Sequence, residues 1–193
     1  MPHASRTLSR TVLVAWAAGM SLVTAGLMTR HWVPLAQPSA ADPDWRARFG
    51  PRVAGPNRGT WTAVHVLAEG CPCSDRILTH LRARGPHPGV RERLVRVAEG
   101  PGAGLTLPGF DCETVAPAEL VAGYGVESVP MMLVLGPDGA PRYAGGYTAR
   151  KQGFDVRDRY ILSELLAGRA VPPLPVYGCP VSSRFARAAP DLP

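Results

Sequence analysis

The chain has 193 residues, enough for one ordinary domain plus an appendage. Its hydrophobic fraction of 46% suits a globular core and argues against wholesale disorder. The formal charge of +6 comes almost entirely from arginine, Lys151 being the single lysine, and no dense basic run with interleaved aromatics occurs, so no nucleic-acid partner is expected.

Residues 1–10 carry Arg6 and Arg10 and read as a short cytoplasmic N-terminus. An apolar run with no internal charge follows over 11–28. Eighteen helical residues span about 27 Å, against a hydrocarbon core of about 30 Å, so this run reads as a transmembrane anchor or an export signal. Either reading places the remainder outside the cytoplasm, and the anchor reading, which is favoured, places it on a bacterial inner membrane facing the periplasm. Residues 29–57 are rich in Pro and Gly and read as a flexible tether.

The strand-like run 60–67 leads into a turn at Glu69–Cys73, and an amphipathic helix begins at Ser74 and stops at Gly85-Pro86. A second strand covers 91–98, a Gly/Pro-rich loop 99–111, and a helix capped near Thr114 runs to Tyr124. Met131–Leu135 and Arg142–Tyr147 form a hairpin about Pro137-Asp138-Gly139. Residues 156–167 form a closing helix ended by Gly168, and a Pro-rich extension with Cys179 occupies 169–193. The order β, α, β, α, β, β, α implies an α/β mixed sheet with helices on both faces.

Chemistry concentrates on cysteine. A thiol exchanger needs a stabilised thiolate, and a helix N-terminus supplies unpaired N–H groups and the positive end of a dipole. Cys71 and Cys73 both stand where a strand turns into a helix, with Cys71 the expected attacking thiol and Cys73 the resolving one. A disulfide across Pro72 closes a smaller ring than the four-residue spacing does. Each of the two thiols has the alternative of pairing with Cys112 or Cys179. Cys179 lies eleven residues past Gly168, a reach of about 36 Å when extended, so it can return to the thiol turn. A Cys112–Cys179 staple and a resolving role for Cys179 both remain open. No nucleotide-binding loop, Ser/His/Asp set or paired-carboxylate site is apparent.

The element order, the Cys turn at a strand–helix junction, Tyr124-Gly125-Val126-Glu127-Ser128-Val129-Pro130-Met131, the Pro-Asp-Gly hairpin and the closing helix together resemble the thioredoxin-like superfamily over about 58–168. The resemblance implies a thioredoxin-like three-layer domain behind one transmembrane helix, with Pro130 cis beside the thiols and able to pair with a substrate strand. It implies a membrane-anchored thiol–disulfide oxidoreductase acting on protein disulfides, with protein substrates, a redox partner and no bound cofactor. The chain departs from the pattern in four places: Cys71-Pro72-Cys73 replaces Cys-x-x-Cys, Gly70 replaces a Trp, His65 replaces a buried acid, and Met131 replaces a Thr. His65 is a candidate for proton transfer or a core histidine. Two other readings stand: Cu(I) delivery, with soft thiolates at Cys71 and Cys73 and further donors at His65, His80 or Met131, and a non-catalytic scaffold.

Overall fold

The computed structural model describes residues 3–32, 35, 37–54, 59–100, 105–151 and 153–182. Two units are present, one ending at Val33 and one running from Pro34 to the C-terminus. The first is a single helix, α1 (His3–Trp32). Its window Arg10–Leu27 has a mean hydropathy of 1.4, and every side chain in it is exposed. The helix is long and apolar enough to cross a membrane.

The second unit is built on a mixed five-stranded sheet in the order β3-β2-β1-β5-β6. Its strands are β1 (Trp61–Ala68), β2 (Val90–Val97), β3 (Asp111–Val115), β5 (Met131–Leu135) and β6 (Pro141–Gly145). β1 pairs in parallel with β2 and antiparallel with β5, so it is central and its interior is buried on both faces. That position explains why its residues are buried without alternation, since alternation is needed only where one face meets water. Val64 and Val66 enter one core and Ala63 and Leu67 the other.

Helices cover both faces. α2 (Pro43–Ala54) and α4 (Pro117–Tyr124) pack in the core that holds Val64. Ile77 and Leu81 of α3 (Pro72–Arg84) pack in the core that holds Ala63, with Ile161, Leu162 and Leu165 of α5 (Asp158–Leu166).

Two expectations are corrected. The stretch 29–57 is not simply a tether, because α2 lies inside it with Trp45 and Val53 buried. The Trp45 indole N–H donates to the Tyr124 carbonyl at 3.1 Å, and Arg93 donates to the Val53 carbonyl at 2.8 Å. Gly125 ends α4 in the left-handed region (φ 63°), and a Cβ there would lie 2.7 Å from the Trp45 ring nitrogen and 2.6 Å from the Phe49 ring. Trp45→Ala is expected to lower stability by about 3 kcal/mol, read as a lower thermal midpoint; a tether residue would leave the midpoint unchanged.

Second, the polar segment Asp111–Val115 is a strand, parallel to β2 at the sheet edge, and α4 starts only at Pro117 with Ala116 as its N-cap. An edge strand whose first four residues stay wholly or partly exposed carries no apolar alternation for a sequence reading to find.

Candidate functional site

β1 delivers the chain to Cys71, which occupies the N-cap position of α3 in an extended conformation (φ −95°, ψ 111°). Pro72 supplies the first helical residue, where its missing N–H costs nothing. Asp75 stands in the first turn and Arg82 and Arg84 in the last, matching the helix dipole. The Ala68 amide donates to the Ser74 hydroxyl at 3.0 Å and ties the strand end to the helix start.

Cys71 is 2% exposed and belongs to the core cluster of Val64 and Val66, so it is not the outer thiol. The C-terminal extension covers it. After α5 the chain returns across the sheet edge, with Gly146 N–H donating to the Leu174 carbonyl and Leu35 N–H to the Val176 carbonyl, both at 2.8 Å. Val176 is fully buried. The short strand β7 (Cys179–Pro180) then pairs antiparallel with β4 (Ser128–Val129), placing Cys179 opposite Val129. The Cys179 sulfur lies against the Cys71 sulfur, 2.6 Å away.

Cys73 is partly buried against the same core. It lines a cavity of about 200 Å3 with Pro130, Arg76, Thr148 and Tyr177. Cys71 and Cys179 line a separate cavity of about 430 Å3 with Gly70, Glu99 and Pro180. The Val129–Pro130 peptide is cis. Burial pushes the Cys179 thiol up to about 12, reinforced by its contact with Cys71. Burial also raises Cys73, with nearby Cys71 adding to it and the charges of Arg76 and Lys151 opposing it.

Cys112 lies elsewhere. It sits in β3, packs against the opposite core and turns its thiol toward the Phe110 carbonyl at 3.7 Å. The fold brings Cys179 to Cys71, and so leaves no Cys112–Cys179 staple.

His65 is fully buried on the face of Ala63 and Leu67. Its Nδ1 lies 2.9 Å from the Tyr147 hydroxyl, which itself donates to the Met131 carbonyl at 3.3 Å. Nδ1 faces the phenol oxygen, and Nε2 makes no hydrogen bond and lies 3.8 Å from a Glu92 oxygen. Its polar neighbours are thus a phenol and a carboxylate. Beyond Glu92 runs a buried network that the sequence alone did not signal. Arg84 grips Glu92 with two bonds of 2.9 and 3.0 Å and Asp158 with one of 2.5 Å, and His80 joins Asp158 at 2.9 Å.

As Cu(I) donors, His65 and His80 are engaged in that network and Met131 is buried in the Val64 core. Among the described residues no group of three His, Cys, Asp or Glu side chains is arranged to hold a metal ion.

No family model matches the chain, and no curated protein matches it. Among solved structures, the chain is similar to an uncharacterised conserved protein from Geobacillus kaustophilus at 17% identity and a TM-score of 0.50, covering 79% of this chain and 89% of that one. A hypothetical protein from Sinorhizobium meliloti 1021 aligns at 15% identity and a TM-score of 0.49, over 78% of this chain and 91% of that one. The first likeness is one of fold alone.

Proposed function

We propose that the chain is a thioredoxin-like thiol–disulfide oxidoreductase, held by α1 in a bacterial inner membrane with the sheet domain in the periplasm, and acting on protein disulfides through Cys71 and Cys73. The observation that carries the reading is the placement of Cys71 at the N-cap of α3 with a second thiol in contact and a third two residues on. Two thiols near one another at a helix N-terminus can give two electrons to a disulfide in two exchange steps. In the first, one thiolate attacks a substrate sulfur, a mixed disulfide forms and one substrate thiolate leaves. In the second, a neighbouring thiol attacks the protein sulfur of that mixed disulfide, and the second substrate thiolate leaves with its proton. The sheet order, with β1 central between a parallel and an antiparallel neighbour, agrees with the resemblance seen in the sequence.

Pro130 lines the Cys73 cavity, where an extended substrate backbone has room to lie against the edge of β4 once the extension yields it. The partners of this reading are protein thiols and disulfides and a second protein that restores the starting redox state. Cys71→Ser is expected to lower insulin-disulfide reduction by at least about a thousandfold while the far-UV spectrum is unchanged. Retention of most of the activity in that variant would remove the reading.

A further inference from the structure

Cys179 is more than a cover for Cys71. The extension is pinned on both sides of it, at Val176 by burial and by the Leu35 amide, and at Val181 and Ser182 by the Glu127 carbonyl and carboxylate, each at 2.8 Å. The β4–β7 pairing fixes its register opposite Val129. A thiol delivered this way meets Cys71 as an intramolecular partner, with its approach entropy already spent in folding. Cys73, by contrast, shares only the tight ring across Pro72 with Cys71, and it opens on the other cavity, beside Pro130 and Arg76.

Resting on the exchange reading above, we propose that Cys179 is a third redox cysteine, and that the disulfide held by the oxidised protein is Cys71–Cys179 with Cys73 left as the free, outward thiol. The two-electron oxidant is the substrate protein disulfide, which first leaves Cys71 and Cys73 joined. Cys179 then loses its proton and attacks the Cys71 sulfur. The Cys71–Cys179 bond forms, the Cys71–Cys73 bond breaks, and Cys73 leaves as a thiolate that takes up one proton. The step moves a disulfide without net oxidation, relieves the small ring and returns to the cavity face a thiol able to meet the next substrate. Reduction of Cys71–Cys179 takes two partner thiols. The first attacks the bond, forming a mixed disulfide and releasing one protein thiolate that takes up a proton. The second attacks the partner sulfur of that mixed disulfide, releasing the other protein thiol and leaving the partner as a disulfide.

The test is disulfide mapping of the full-length protein in detergent. The protein is oxidised with glutathione disulfide, quenched in acid, alkylated after unfolding and digested. The expected result is a cross-linked peptide joining Cys71 to Cys179, with the alkyl label on Cys73 and Cys112. In Cys179→Ser, treated identically, the label at Cys73 is expected to be lost, because Cys73 then stays paired with Cys71. A Cys71–Cys73 link in the wild type with Cys179 labelled overturns the relay and leaves the exchange reading standing, as does any link to Cys112. Labels on all three thiols, together with no turnover of insulin, overturn both.

Discussion

Replacing Arg84 by methionine is expected to cost about 3–5 kcal/mol of stability and to lower the thermal midpoint by about 10 °C. The guanidinium is almost wholly enclosed and serves two carboxylates, Glu92 and Asp158, that are completely buried. Burial pushes both carboxyls up, but His65 and then Arg84 hold Glu92, and Arg84 and then His80 hold Asp158, net below the ordinary carboxylate range. Methionine keeps much of the volume and removes the charge, leaving two desolvated anions with weaker partners.

The pH dependence weakens with the substitution. In the wild type the folded carboxyls titrate below their unfolded values, so their stabilisation is present above about pH 4 and is lost as the pH falls through the depressed folded values. In Arg84→Met, burial without that guanidinium raises the folded Glu92 value. The stability that the variant loses on acidification is therefore smaller than in the wild type. Adding Glu92→Gln is expected to recover part of the loss at pH 7. Thermal unfolding at a series of pH values reads all three results, and a midpoint for Arg84→Met within a degree or two of wild type at pH 7 would contradict the role given to Arg84.

Gly178→Val is expected to accelerate alkylation of Cys71 in the reduced protein by about a hundredfold. A Cβ at Gly178 would lie 1.8 Å from the Val129 carbonyl oxygen and 2.6 Å from Pro130 Cδ. The opposing atoms are backbone and a proline ring, so the extension itself must lift away. The pairing of Val129 with Cys179 and of Ser128 with Pro180 is then lost, and Cys71 is uncovered. Cys179 changes as well. Its thiol stands at about 12 while it is covered and in contact with Cys71, and release lets it return toward an ordinary thiol value. Its own labelling at pH 8 is expected to rise by about two orders of magnitude or more. Timed labelling with peptide mass analysis separates the two thiols. Equal Cys71 rates in the variant and the wild type would mean that the extension does not control access to it.

Much of the sheet was legible beforehand because its signals are local. The β-branched and apolar enrichment of β1 marks a buried strand, and Pro137-Asp138-Gly139 marks the β5–β6 hairpin. The Cys71-Pro72-Cys73 turn announced a strand–helix junction, because Pro suits a first helical turn and Gly85 suits a helix end, where its N–H donates to the Leu81 carbonyl. The closing helix was legible in place, and its facing was decided by the fold: Ile161, Leu162 and Leu165 turn inward, and Tyr160 is exposed. One residue of helical phase is 100°, more than a short amphipathic pattern resolves. β3 escaped notice because it is short, polar and at the edge, and α2 because its proline and glycine content matches that of a linker.

What the sequence determined by itself was the inventory: one apolar N-terminal helix, an alternating α/β chain, a thiol pair at a helix start and a spare cysteine within reach of it. What only the tertiary structure decided was which of these meet. Cys71 lies under Cys179 because β7 pairs with β4, a contact between residues about fifty apart that no local pattern encodes. Arg84, Glu92, Asp158 and His65 form one buried charge network because α3, β2, α5 and β1 enclose a common space. Propensity and periodicity act over a few residues, whereas burial of a thiol or a carboxylate is set by whatever the rest of the chain lays over it.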